Sequence, residues 1–444
     1  MNFYLNDMVI SLKKLLSFDS IAGKKAPNAP YGKKINDSLE YTLGLCRHLG
    51  LSAVNEGGLY GYAETGPKDG EIFAVLCHLD VVPFNRADWK HDPLGEISDG
   101  KIYGRGALDD KGPTVAALYA VKRLLDEGFA FGRRARFIFG LDEETGEWES
   151  VAAYFKKHGM PPIGIAPDAD FPVINSEKGK VNFILSLKIP KACRITRFHA
   201  GKRSNIVPDA ASMTTGDRAL AEAAKTRGLS VSSQSLVDGD GYEISAVGKA
   251  AHGAHPEKGV NAAVKLLEFL KAHDIEPYAA LYGKLSDCNG GGLDIDFKDD
   301  VSGLLTLNAG MFETSDDGSL LNVEIDVRYP HNVSAEELTA ILKEQPLFCS
   351  VKQNGSHRRL YLDENDGLIK ALLSAYNSVT GQNARPLSIG GATFARALDY
   401  GAAFGPVFPG SESTIHEADE FISIDDLNKT AEIYYRAFST LLAR

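Results

Sequence analysis

Four short apolar runs in this chain of 444 residues end in the same way, and that repetition constrains the fold more than any other feature. Residues 72–77, in "EIFAVLCHLD", deliver His78 and Asp80. Residues 136–140, in "RARFIFGLDEETG", deliver Asp142, Glu143 and Glu144, and residues 163–165, in "PIGIAPDADFP", deliver Asp168 and Asp170. Residues 402–408, in "GAAFGPVFP", lead into "STIHEADEF" with His416. Short apolar runs closed by turn residues read as buried strands. Amphipathic stretches alternate with them, among them "SLEYTLGLCRHLG" ended by Gly50, and "PTVAALYAVKRLLDEG" with Pro113 in its first turn and Gly128 closing it. That alternation predicts an α/β catalytic domain with a mainly parallel sheet flanked by helices. The crevice of such a sheet lies outside the carboxyl ends of its strands, so the four runs aim their polar residues at one place. A fifth segment, "GRGALDDKG", sets Asp109 and Asp110 just before a helix, between glycines that permit a tight turn.

Length exceeds what one core supports, so two domains are expected. After Lys178 the pattern changes to alternating strands such as "VNFILSLKI", "GYEISAVG" and "LNVEIDVRYP", read as half-exposed, with covering helices "NAAVKLLEFLKAHD" and "SAEELTAILKEQ". The expected division is residues 1–177 plus 358–444 for the catalytic domain, with 178–357 as an inserted α+β domain. A net charge of −11 argues against a nucleic-acid partner. No apolar run approaches a membrane span, and "MNFYLNDMVISLKKLL" has helical spacing rather than a signal-peptide core. Five scattered cysteines without a C-x-x-C pair fit reduced thiols and a cytoplasmic location.

Two histidines with several carboxylates and no cysteine suit a catalytic two-metal site. One carboxylate can bridge two cations held about 3.5–4 Å apart. Glu143 and Glu144 are adjacent and leave the backbone differently, so one can ligate while the other works on water.

At this point the residues carry a family likeness. "CHLDVVP", "DPLGEISDGKIYGRGALDDKGP", "GLDEETGE", "PDADFPVI", "GKAAHGAHPEKGVNA" and "LSIGGATFARAL" resemble metallopeptidase family M20. Length and middle region most resemble its dizinc Xaa-His dipeptidases of the PepV type. The resemblance implies two Zn2+ per chain, with Mn2+ or Co2+ acceptable to the same donors. By it, His78 and Asp168 hold one zinc, Glu144 and His416 the other, and Asp109 bridges both. Glu143 becomes the general base, and Asp80 orients His78 from behind. Asp170 competes with Asp168, whose place in "PDAD" matches the family register. Asp110 is expected to pair with Lys111 or cap the following helix, and His91 to be a plain loop residue.

In the inserted domain, a lid by this resemblance, His252 matches the residue that reaches the scissile carbonyl, with His255 as competitor. Arg328 in "DVRYP" matches the arginine that binds a terminal carboxylate; a strand salt bridge is the alternative. Asn205 is a candidate substrate contact, and Gly390 and Gly391 would let the backbone approach a peptide. The lid's length resembles the doubled lid that one chain supplies, which implies an active monomer. The implied function is hydrolysis of unblocked dipeptides. Its rivals are an N-acyl amino acid deacylase or desuccinylase on the same site, and a non-catalytic scaffold on a retired peptidase fold.

Overall fold

The computed structural model describes residues 4–236 and 239–443. It divides into two compact units, one of residues 1–176, 360–387 and 392–444, the other of residues 177–359 and 388–391. The short segment 388–391 falls in the second unit although its chain neighbours lie in the first. Bonds within that unit help to hold it: Lys178 N–H donates to the Ile389 carbonyl at 3.1 Å, and Arg328 Nη1 to the Gly390 carbonyl at 3.2 Å.

The first unit is built on a mixed sheet whose four central strands run parallel, in the order Arg134–Gly140, Ile72–His78, Ile163–Ala166, Gly401–Ala403. These are the four apolar runs, and their side chains are almost all buried because helices cover the sheet. "GAAFGPVFP" is not one strand: it breaks after Ala403 and resumes as Pro406–Val407, paired with Ala169–Asp170. The helix Lys111–Asp126 starts two residues ahead of Pro113 and buries Val115, Leu118, Val121 and Leu124. Gly128, at φ 69°, ends it with a bond to the Leu125 carbonyl. The C-terminal helix Ile424–Leu441 packs against it, with Leu427, Ala431, Tyr434 and Phe438 buried at helical spacing. Ser423 caps that helix by accepting from Asp426 N–H.

The second unit carries an eight-stranded antiparallel sheet in the order Ser230–Leu236, Gly239–Val247, Ala210–Thr215, Ile195–Ala200, Thr306–Thr314, Leu320–Tyr329, Gly179–Lys188, Ser350–His357. Its core joins Phe183, Leu185, Ile325 and Val327 to Leu266, Leu270 and Leu338 of the helices. On the polar face of Gly179–Lys188, expected to be half exposed, Lys188 is exposed and Lys180 and Ile184 partly so, while Asn182 and Ser186 are buried. These two polar residues find partners: Asn182 donates at 2.6 Å to Oγ of Ser204, in the turn beyond Ile195–Ala200, and Ser186 donates at 2.7 Å to Asn322 of the neighbouring strand. No helix among the described residues is long and apolar enough to cross a membrane.

Candidate metal centre and active site

The parallel strands place their end residues together. His78 is the last residue of its strand and fully buried. Its Nδ1 lies 3.1 Å from the Asp80 carbonyl, which leaves Nε2 facing Asp109 Oδ1 at 2.8 Å and Asp168 Oδ1 at 3.9 Å. The Phe394 ring stands edge-on to the imidazole at 6.1 Å, and Phe394 N–H donates to Asp168 Oδ2 at 3.1 Å. His416, at φ 64°, turns its Nε2 to Asp109 Oδ2 at 3.1 Å and to Glu144 at 3.2 Å. Asp109 thus offers one oxygen to each histidine. Among the described residues, two sets of side chains converge closely enough to hold an ion, His78–Asp109–Asp168 and Asp109–Glu144–His416, and Asp109 is common to both.

Further residues support these ligands. Asp80 faces His78 with its carbonyl at hydrogen-bond distance, while its carboxylate stands 3.6 Å from Nδ1 and accepts from Glu144 N–H at 2.9 Å. Asp110 neither pairs with Lys111 nor caps the helix with its side chain. Its carboxylate accepts from His78 N–H at 3.0 Å and from Thr114 at 3.2 Å, while Lys111 reaches the Phe18 carbonyl. Asp142 ties the acidic loop down by accepting from Glu149 N–H at 2.6 Å and from Ser150. The Trp148 indole donates to the Glu143 carbonyl at 3.3 Å. Glu420, fully buried, accepts from three successive parts of the Asp109 loop. Its sequence signal was the third acidic residue of "HEADEF".

Charge balance among the side chains falls to the histidines. Burial opposes a charge on His416, but its hydrogen bonds to Asp109 and Glu144 outweigh that and lift it to about 11. His78 is raised likewise, against burial, chiefly by Asp109 and Asp80. Asp168 is pushed well up by burial and then by the charge of Asp109. Burial raises Glu143 to about 8, His78 opposing and Glu144 and Asp109 adding to it. Carboxylates that need positive charge at this spacing, with two imidazoles to complete the set, fit a pair of divalent cations. Asp170 is exposed and belongs to neither set. His91 stacks on Tyr103 at 3.7 Å and bonds Glu96.

Within the second unit, four of the expected residues are neighbours. The His252 strand segment bridges Ile206 next to Asn205, and the Asn205 carbonyl accepts from Gly253 N–H at 2.7 Å. Ala254 N–H donates to His252 Nδ1 at 3.2 Å, so the neutral ring carries its proton on Nε2. Burial and then the Arg328 charge hold His252 below its ordinary value, which keeps it in that neutral donor form. Arg328 is buried and grips Asp326 through Nε at 2.5 Å and Nη2 at 3.2 Å. A Cβ at Gly390 would meet Ala254 only at ordinary contact, 3.5 Å, and one at Gly391 only Ile389 at 3.6 Å. The chain's own packing does not require glycine at either place. His255 is exposed and faces Glu257 at 3.4 Å.

The sequence profile described as "Peptidase family M20/M25/M40" matches residues 74–440. The chain belongs to that family. A Bacillus subtilis (strain 168) family relative named "Putative dipeptidase YtjP" is 34% identical over 98% of this chain and 97% of its own length. A "Putative dipeptidase SSP1012" of Staphylococcus saprophyticus is also 34% identical, over 99% of this chain and 97% of its own length. Among solved structures, an M20 family metallo-carboxypeptidase, Sso-CP2 from Sulfolobus solfataricus, aligns over 99% of both chains with TM-score 0.59 at 18% identity. Aminopeptidase PepT from Bacillus cereus ATCC 10987 aligns over 98% of both with TM-score 0.59 at 16% identity. These two likenesses show the peptidase fold.

Proposed function

We propose that this family member is a dipeptidase that works with two divalent cations, zinc first, and cleaves unblocked dipeptides. The observation that carries the reading is Asp109, one carboxylate within reach of both His78 and His416. Two cations on these sets would supply Lewis-acid polarisation of the scissile carbonyl and an acidified water. His78, Asp168 and Asp109 would hold one, and Glu144, His416 and Asp109 the other. Glu143 takes the proton from the attacking water and passes it to the leaving amine nitrogen, the work of a general base that becomes a general acid. Asp80 keeps His78 oriented from behind, and its acceptance of Glu144 N–H gives it a hold on both ligand strands. In the second unit, His252 offers its Nε2 proton to the carbonyl oxygen as negative charge builds there. Arg328 takes the substrate's terminal carboxylate, Asn205 contacts the substrate, and Gly390 and Gly391 leave its backbone room.

The length of the second unit, like that of a doubled lid supplied by one chain, supports a competent monomer. All five cysteines are unpaired, which supports the cytoplasm as its location. Names of relatives weigh toward the dipeptidase over a deacylase. The deciding experiment compares amino-acid release from a panel of free dipeptides and from N-acetyl and N-succinyl amino acids, with metal content measured on the same preparation. Two cations per chain and faster cleavage of free dipeptides are expected. Preference for the acylated substrates would replace the reading with the deacylase, and a chain that binds no cation would leave only a scaffold.

A further inference from the structure

Beyond the metal ligands, one buried charge pair stitches together the two loops that carry Asp109 and His416. The Glu420 side chain is fully buried, and Arg105 is 4% exposed. Glu420 Oε2 accepts from Arg105 Nη1 at 2.6 Å. Its Oε1 accepts from Gly106 N–H at 3.1 Å and Leu108 N–H at 2.9 Å, with Asp109 N–H at 3.4 Å. The backbone joins in: Gly104 N–H donates to the Glu420 carbonyl at 2.9 Å, and Arg105 Nη2 to the Glu417 carbonyl at 3.0 Å. The guanidinium also lies over the Trp89 ring at 5.3 Å. An ion pair taken out of water is a poor way to gain stability, since apolar side chains of the same volume do as well. What the pair does offer is geometry: both its partners sit in ligand-bearing loops and nowhere else.

We propose that Glu420 and Arg105 are positioning residues that fix Asp109 against His416, and so preform the cation set Asp109–Glu144–His416 ahead of binding. Glu420 touches neither substrate nor reacting atoms; it acts through the backbone N–H groups of the Asp109 loop. Asp168, on the far side of the site, is held by Phe394 N–H and takes nothing from the pair. The effect of loosening it therefore falls on one cation set more than the other. This inference rests on the metal-centre reading above.

The test titrates the metal-free protein with Co2+ and follows the visible absorption of each bound ion and the fluorescence of Trp89 and Trp148. Glu420→Gln keeps an oxygen for the three N–H donors and removes the charge facing Arg105. It should weaken one of the two binding steps by about tenfold to a hundredfold, the usual cost of losing an outer partner of a ligand, and the other, which shares Asp109 but not His416, by a clearly smaller factor. Arg105→Lys, which keeps the charge but loses the Glu417 carbonyl, should weaken the same step by a smaller factor, and it serves alone if Glu420→Gln does not fold. Equal weakening of both steps would mean a general packing role and overturn the proposal, as would two unchanged steps. If the wild-type chain itself takes up fewer than two Co2+, the metal-centre reading falls; if it takes up two and the variants match it, only the clamp falls.

Discussion

Arg328 offers the sharpest test of what the proposed dipeptidase reads at the far end of its substrate. A guanidinium has five N–H donors. Among the described residues three are engaged, two on Asp326 and one on the Gly390 carbonyl. One N–H therefore remains on each terminal nitrogen, and that pair suits the two oxygens of a carboxylate. The strand salt bridge and the substrate contact are thus compatible, because Asp326 fixes the plane in which the free edge points. A charge-assisted contact of this kind is worth about 1.5–3 kcal/mol, or roughly tenfold to a hundredfold in kcat/KM. The assay measures kcat/KM for a free dipeptide, its C-terminal amide and the same peptide extended by one residue. Amidation should cost the wild type about that factor, and extension as much or more. In Arg328→Ala the acid and the amide should be cleaved at similar, low rates, since the discriminating charge is gone. A wild type that cleaves amides as well as acids would make Arg328 a purely structural strand residue, and the substrate's length limit would need another cause.

Other outcomes follow from the same geometry. Glu143→Gln should keep both cations and lose about a hundredfold to ten-thousandfold in turnover, whereas Glu144→Gln should lose a cation; the reverse pattern in metal analysis would exchange their roles. His252→Ala should lower kcat by about a hundredfold to a thousandfold with metal content unchanged, and an unchanged kcat would remove it as an oxyanion donor. Arg328→Ala should also raise the titration midpoint of His252 in an NMR pH series, because a neighbouring positive charge that disfavours the imidazolium is gone. In metal-free protein, His416 is raised to about 11, so its stabilising contribution is full below about pH 6.5 and is lost as pH climbs through that higher value. Thermal unfolding of metal-free protein should accordingly show Tm falling between neutral and alkaline pH, and cation uptake at pH 7 should release at least two protons, from the two histidines and from the raised carboxyl of Asp168, measurable by calorimetry in buffers of different ionisation enthalpy. Uptake without proton release would mean that the histidines are neutral beforehand.

The sheet and the residues at its strand ends were legible because apolar runs and their stops are local signals. His78, Asp168 and the acidic loop need only a few neighbouring residues to be read. Burial of Asn182 and Ser186 was not legible, because their partners Ser204 and Asn322 are distant in sequence. Asp110 was misread for the same reason. Its nearest basic neighbour in sequence, Lys111, turns to Phe18, and its carboxylate instead takes a backbone N–H thirty-two residues earlier and the Thr114 hydroxyl.

Glu420 marks where such reading stops and what replaces it. Its partner Arg105 lies 315 residues away, so no periodicity or spacing could have joined them. "HEADEF" carries a ligand and its brace in one turn, and the backbone explains how. His416 and Asp419 both adopt positive φ, at 64° and 58°, which bends the segment so that residue 416 faces the cation set while residue 420 faces the loop behind it. Only a chain folded back in this way can let one short segment supply a metal ligand and also hold the loop of the carboxylate it must share. The acidic residue that looks redundant beside His416 is the one that makes the position of Asp109 depend on where His416 sits.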